Sequence, residues 1–207
     1  MMLLCDIGNS RYHFFEDSRV KDISVDASLD AFRGKKCYAV SVNDDALQRL
    51  KKVCDVVLLN PLEHLDTAYQ GLGADRAAAC LAVDDGIVID AGSAITVDVM
   101  QSSLHLGGFI MPGLQSLTAA YASISTKLAT TPAMSAELGV LPQSTKEALG
   151  YGIVIPIVLT IKEVSRGKRL YFTGGDGAFL ARYFDLAIVD RMLIFKGMQK
   201  LIGFLEK

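Results

Sequence analysis

The sequence predicts an α/β protein built as two similar lobes, and three observations predict it. The pattern D-x-G-[NS]-x occurs twice, as Asp6-Ile7-Gly8-Asn9-Ser10 and as Asp90-Ala91-Gly92-Ser93-Ala94. Each copy lies between two strand-like segments, an apolar run before it and a resumed run after it. The order along the chain is meander, helices, meander, helices, and no linker rich in Pro, Ser or Gly separates the halves. The lobes are therefore expected at 1–86 and 87–207, with the last helix free to pack back on the first lobe.

The elements follow in order. Met2 to Ile7, Arg11 to Phe15 and Arg19 to Val25 read as an antiparallel meander that turns at Glu16-Asp17-Ser18. Cys37 to Val42 is a short strand. Asp44-Asp45 is a helix-start signal, and Ala46, Leu47, Leu50 and Val53 recur at helical spacing. Asp55 to Leu59 reads as a buried strand, and Glu63 to Gly73 as a polar loop. Gly73-Ala74-Asp75-Arg76 opens an Ala-rich helix to Val83. Strands follow at Ile87–Ile89, Ala94–Val99 and Leu104–Ile110, then a helix from Leu114 to Leu128 and a surface loop from Thr130 to Gln143. Ser144-Thr145-Lys146-Glu147 has the capping-box pattern and starts a long helix to Arg166. A strand at Lys168–Phe172, the turn Thr173-Gly174-Gly175, a helix from Ala178, a strand near Leu186–Val189 and a helix from Leu193 complete the chain.

Composition narrows the function classes. The chain has 207 residues, enough to bury a real core, with half of them apolar and a formal net charge of −2. No basic cluster exceeds Arg33-Gly34-Lys35-Lys36 or Lys51-Lys52, so a nucleic-acid partner is not expected. The four cysteines form no C-x-x-C pair, which fits a reducing, cytoplasmic setting, and the three histidines show no zinc-ligand spacing. No signal peptide is expected, because Asp6 interrupts the N-terminal apolar run. The longest apolar run, Tyr151 to Ile161, contains Pro156 and is about half the ~20 residues of a membrane span. It reads as a buried helix, and no membrane is expected.

The two D-x-G turns carry the chemistry. Neither has a bulky side chain, so backbone N–H groups can approach an anion closely, and Asp90 at a strand end can hold a cation. Two lobes facing each other would leave a cleft with a turn on each side, a natural nucleotide site.

This layout resembles the sugar kinase, Hsp70 and actin superfamily, with two RNase H-like lobes and a nucleotide cleft between them. Within it, five motifs in order resemble the type III pantothenate kinase family: Asp6-Ile-Gly-Asn-Ser, Gly73-Ala-Asp-Arg, Asp90-Ala-Gly-Ser-Ala-Ile-Thr-Val-Asp98, Gly107-Gly-Phe-Ile-Met-Pro-Gly113 and Thr173-Gly-Gly175. Ser10 and Ser93 stand where the family usually has Thr, which keeps the hydroxyl. The family's Tyr-x-x-Pro stretch is compressed here to Thr67-Ala68-Tyr69-Gln70-Gly71.

The resemblance implies ATP-dependent phosphorylation of pantothenate, the first step of coenzyme A synthesis, by a homodimer. Asp6, Ile7, Gly8, Asn9, Ser10, Arg11, Tyr12 and His13 would form the first ATP-phosphate turn, with Ser93 on the second. Gly8 would allow close approach, Asn9 and Ser10 would donate, and Asp6 would act through Mg²⁺ and its waters. A plain hairpin turn uses the same D-x-G-N residues. Asp75 is the candidate catalytic carboxylate: transfer to an alcohol needs the hydroxyl oriented in line and its proton accepted, and a carboxylate of unperturbed pKa ~3.9 is ready to accept at neutral pH. Arg76 would bind the substrate carboxylate through its guanidinium fork. The structural alternative is that Asp75 caps the helix and Arg76 pairs with it. Tyr69, Gly73, Ala74 and Thr145 complete the implied substrate set; helix N-capping competes for Thr145. The resemblance implies a monovalent cation, K⁺ or NH₄⁺, by Asp90, where the residues alone leave Mg²⁺ open. Asp98 is expected to be structural, Gly107 to Gly113 to lie near the substrate, and Thr173-Gly174-Gly175 to lie near the adenosine. A same-fold kinase for another alcohol or sugar, a regulator of transcription and an actin-like filament protein are the competing readings; the first is decided by a substrate panel, and the second predicts erosion of Asp6, Asp75, Arg76 and Asp90, all of which are present.

Overall fold

The structure is a computed structural model that describes residues 2–205. It divides into two compact units: Met1–Asp84 with Met100–Leu106 and Met192–Lys207, and Asp85–Val99 with Gly107–Arg191.

In the first unit, β1 (Leu3–Ile7), β2 (Arg11–Glu16), β3 (Arg19–Ser24), β4 (Lys36–Ser41) and β5 (Asp55–Leu58) form a sheet of order β3-β2-β1-β4-β5. The first three strands are antiparallel, and β4 and β5 run parallel to β1. The β2–β3 turn places Asp17 and Ser18 at φ of 50° and 62°, the doubly positive pair that a two-residue I′ turn requires. α1 (Asp44–Lys51) starts at Asn43, whose side chain accepts from the Ala46 N–H. It lays Ala46, Leu47 and Leu50 on a core with Leu3, Cys5, Ile7, Tyr12 and Phe14. There Phe14 and Phe32 stack at 3.9 Å between centroids, and burying each such ring is worth roughly 1.5–3 kcal/mol. β5 is not the buried strand its apolar run suggests. It is the edge of the sheet, with Leu58 half exposed, because a neighbour covers it along one edge only. The expected loop after it contains a two-residue strand, β6 (Asp66–Thr67), and leads into α2 (Ala74–Leu81).

In the second unit, β7 (Gly86–Ala91), β8 (Ala94–Gln101) and β9 (Leu104–Pro112) follow the same plan, with Ser102 and Ser103 at φ of 52° and 64° in the β8–β9 turn. β10 (Leu170–Thr173) and β11 (Ala187–Val189) run parallel to β7. Five strands of this sheet therefore stand in the order β9-β8-β7-β10-β11, the order of β3-β2-β1-β4-β5 repeated. The tip of the β8–β9 hairpin, residues 100–106, belongs to the first unit, and β6 pairs with it there as the sheet's sixth strand.

α3 (Leu114–Ile124) is shorter than expected and passes into a 3₁₀ turn at Thr126–Leu128. α4 (Thr145–Ser165) is longer than the apolar run inside it. By length and composition it could cross a membrane, but half of its most apolar stretch is buried within the protein. Ile153, Val154, Ile157, Val158 and Ile161 pack with Ile87, Ile89, Ile95, Val97 and Phe172 in the core of this unit. α5 (Gly177–Ala181) is short. The last helix, α6 (Leu193–Leu205), belongs to the first unit and packs on α2. Gly197 makes this possible: a Cβ there would lie 1.7 Å from the Ala78 carbonyl oxygen. All four cysteines are buried thiols. Burial pushes the Cys54 thiol up to about 11 and Cys5 well above its ordinary value, so both are core residues rather than nucleophiles.

Candidate active site

The first D-x-G turn closes a tight hairpin at the end of β1. The Gly8 N–H donates to the Arg11 carbonyl at 3.0 Å, and the Val25 N–H donates to the Ser10 carbonyl at 3.1 Å. Asp6 is buried at 6% exposure, whereas Asn9, Ser10 and Arg11 are exposed. The turn is anchored from outside by Asn43, whose Nδ2 donates to the Asn9 carbonyl at 3.3 Å while its Oδ1 caps α1. Reading the helix start from Asp44-Asp45 passed over Asn43; its signal is an N-capping residue one position before the first helical residue. Ile7 and Tyr12 are core residues at 0% exposure, and the Tyr12 hydroxyl donates to the Ala46 carbonyl at 2.8 Å. Both side chains are thus engaged in the core of the first unit. His13 pairs with Asp22 at 2.8 Å on the opposite face of β2 from Tyr12.

The G-A-D-R segment lies in the same unit. The Val42 N–H donates to the Ile7 carbonyl at 3.1 Å, and a Cβ at Gly73 would meet Val42 Cγ1 at 3.5 Å, so one residue links the end of β1 to the start of α2. Gly73 is the N-cap, Ala74 is the first helical residue, and both are half-buried. Asp75 is half-buried in the first turn, and its Oδ1 accepts from the Arg76 N–H at 2.7 Å. The carboxylate thus sits in the positive first turn of the helix, bonded to a backbone N–H there although Gly73 and not Asp75 is the cap, and still reaches the surface. Arg76 is 7% exposed, with its guanidinium carbon 5.0 Å from the centroid of the Tyr69 ring. A Cβ on Gly73 would lie 2.6 Å from Asp75 Oδ1. Gly73→Ala keeps an ordinary backbone conformation, since φ is −66°, so its effect falls on that carboxylate. On the kinase activity that the resemblance implies, it is expected to lower kcat roughly 10- to 100-fold with the KM for ATP unchanged, the scale of a displacement near 1 Å. Steady-state kinetics check this, and an unaltered kcat would separate Asp75 from the chemistry.

In the second unit, the Gly92 N–H donates to the Ala94 carbonyl at 2.9 Å. Ser93 is exposed, and its carbonyl accepts from the Gly113 N–H at 3.1 Å and from the Ser116 hydroxyl at 3.0 Å. Gly113 is therefore the support of this turn: a Cβ on it would lie 2.2 Å from the Gly92 carbonyl oxygen. Asp90 is half-buried opposite Thr173 in the parallel β7–β10 pair. Gly174, at φ +79°, crosses so close that a Cβ would lie 2.4 Å from Asp90 Oδ1 and 2.5 Å from the Ala91 carbonyl oxygen. The Asp90 carboxylate is a hard oxygen donor, of the kind that suits Mg²⁺ or K⁺ and not a soft metal. The adjoining Asp176 has its carboxyl raised above the usual range by burial, and with Phe179 it edges an apolar groove of about 660 Å³ along α3. Asp98 is fully buried. Thr145 is the first residue of α4 and exposed. The cap is Ser144, whose hydroxyl accepts from the Glu147 N–H, and the Glu147 carboxylate accepts from the Gln143 N–H at 3.0 Å. The capping alternative for Thr145 is thereby removed.

The model of the type III pantothenate kinase family matches residues 17–166. A type III pantothenate kinase of Wolinella succinogenes is 49% identical over 203 residues, covering 96% of this chain and 95% of the relative. A crystal structure from Campylobacter jejuni, described as a conserved candidate transcriptional activator of the Baf family, superposes with a TM-score of 0.89 at 44% identity over 99% of both chains. A candidate 2-dehydro-3-deoxygalactonokinase from Sinorhizobium meliloti shares the fold alone, at a TM-score of 0.63 and 10% identity over 99% of both chains. The repeated strand order is that of the sugar kinase, Hsp70 and actin type, and the chain belongs to the type III pantothenate kinase family.

Proposed function

We propose that the protein transfers the γ-phosphoryl group of ATP to the primary hydroxyl of pantothenate, forming 4′-phosphopantothenate and ADP at the start of coenzyme A synthesis, in the cytoplasm. The observation that carries this reading is the intact Gly73-Ala74-Asp75-Arg76 at the start of α2, in a chain of this family, with Asp75 half-buried in the first turn of the helix. The backbone of residues 8–10 in the first unit takes phosphate oxygens of ATP. Asp75 orients the substrate hydroxyl and accepts its proton as the oxygen–phosphorus bond forms and the bond to the ADP oxygen breaks. Arg76 binds the substrate carboxylate, beside Tyr69. Asp6 would reach the Mg²⁺ that accompanies ATP, and Asp90 would hold a monovalent cation, K⁺ or NH₄⁺; what these cations would supply is neutralisation of the phosphate charge. Most of the acceleration then comes from positioning and charge neutralisation.

We also propose a homodimer in which Thr145 reaches the partner's substrate. Its support is that Thr145 is exposed at the start of α4, with Ser144 and not Thr145 capping that helix. A second reading, a non-catalytic accessory factor in transcription, is favoured by the name given to the similar Campylobacter jejuni structure.

One assay separates them: ADP release with Mg²⁺–ATP and pantothenate, in K⁺ and in Na⁺. Turnover that requires pantothenate and is at least tenfold faster in K⁺ is expected. ATP binding without pantothenate-dependent ADP release would favour the accessory role, and equal rates in the two salts would remove the cation from Asp90.

A further inference from the structure

We infer that Thr67 and His105 are positioning residues for the carboxylate end of the substrate, acting through Tyr69 on Arg76. The inference rests on the reading of Arg76 as the carboxylate ligand. All four residues lie in the first unit. β6 is only two residues long, and it pairs in parallel with the hairpin tip, Asp66 with Leu104 and Thr67 with His105. A strand of that length fixes little by backbone hydrogen bonds alone. The side chains add what it lacks, because Thr67 Oγ1 and His105 Nδ1 are 2.7 Å apart. The same Thr67 oxygen accepts from the Tyr69 N–H at 3.1 Å, closing a local turn that fixes the tyrosine backbone. The hydroxyl can donate to Nδ1 or accept from it, so the Thr67–His105 bond holds in either imidazole tautomer.

His105 then acts a second time through its ring. It is 2% exposed, and its imidazole packs against the Tyr69 ring with centroids 5.9 Å apart and planes at 53°. The guanidinium carbon of Arg76 stands 5.0 Å from the centroid of that same Tyr69 ring. Stacking on an aromatic face sets the plane of a guanidinium, and its in-plane N–H fork is the part that takes a carboxylate in two parallel hydrogen bonds. The hairpin tip thus sets the orientation of a binding arginine far from it in sequence, by way of one hydroxyl and one aromatic ring.

The test is the isosteric change Thr67→Val, with Thr67→Ser as the conservative variant. Thr67→Val is expected to raise the KM for pantothenate about tenfold, with kcat and the KM for ATP changed by less than threefold. Thr67→Ser should return the pantothenate KM to within about threefold of the wild type. The alcohol analogue of pantothenate, which lacks the carboxylate, should show the same KM with the wild type and with Thr67→Val. An unchanged pantothenate KM in Thr67→Val, or an equal rise for the alcohol analogue, would overturn the positioning role while leaving the kinase reading intact. A wild type without pantothenate-dependent turnover would overturn both. A fall in kcat and in melting temperature without the KM split would mark Thr67 as a fold residue only.

Discussion

Asp75→Asn is expected to lower kcat about 10³-fold while leaving the KM for ATP and the melting temperature unchanged. A positioned general base contributes roughly 10²–10⁴ to rate, and Asn removes the proton acceptor without changing shape. The substitution also separates the two roles open to this residue. In the structure Asp75 Oδ1 accepts from the Arg76 N–H, and an amide oxygen can accept the same bond. If accepting that backbone bond in the first turn were the whole role of Asp75, Asn would fill it almost as well as Asp. Loss of turnover with an unaltered melting temperature is therefore the signature of chemistry. A kcat within threefold of wild type would leave Asp75 with a structural role in the first turn of α2 and send the search for the base elsewhere.

Gly197→Ala is expected to destabilise the protein by about 2 kcal/mol or more, although alanine is the better helix former by up to about 1 kcal/mol. The new Cβ would stand 1.7 Å from the Ala78 carbonyl oxygen and 2.7 Å from its carbon. Both are backbone atoms of a packed helix, so no side chain can swing away. The helices must separate, and overpacking of this kind costs about 1–3 kcal/mol and sometimes more. Because α2 begins at Ala74 and carries Asp75 and Arg76, a shift of the helix should also lower kcat. Gly203 supplies the control. It lies in the same helix, it is exposed, and a Cβ there meets nothing within 4 Å. Gly203→Ala should be neutral or slightly stabilising, so the difference between the two variants in chemical denaturation isolates the α2–α6 contact. Equal stability in the two would show that the helices do not approach as closely as this.

Much of the architecture was legible because it is locally encoded. Small residues at Asp6–Ser10 and Asp90–Ala94 mark the turns, period-two segments mark the meanders, and Ser144 with Glu147 marks the start of α4. These signals act over a few residues, so each survives when read alone. The site was legible in part for the same reason: Gly73 to Arg76 and Asp90 to Ser93 are contiguous motifs. Tyr12 shows the limit, because a residue within a motif span can face the core, and strand alternation turned it toward Phe14 and away from the turn.

The sequence by itself determined the repeated α/β plan, the two turns and the family. Tertiary structure alone decided the exposure of β5, since an edge strand and a buried one carry the same apolar residues and differ only in their neighbours. It also decided that the tip of the β8–β9 hairpin and α6 belong to the first unit. Those assignments rest on contacts between residues far apart in the chain, Ala78 with Gly197 and Thr67 with His105. Such contacts leave no periodic trace in a sequence, because a close backbone approach needs only a glycine, and a single hydrogen bond needs only two polar side chains brought together by the fold.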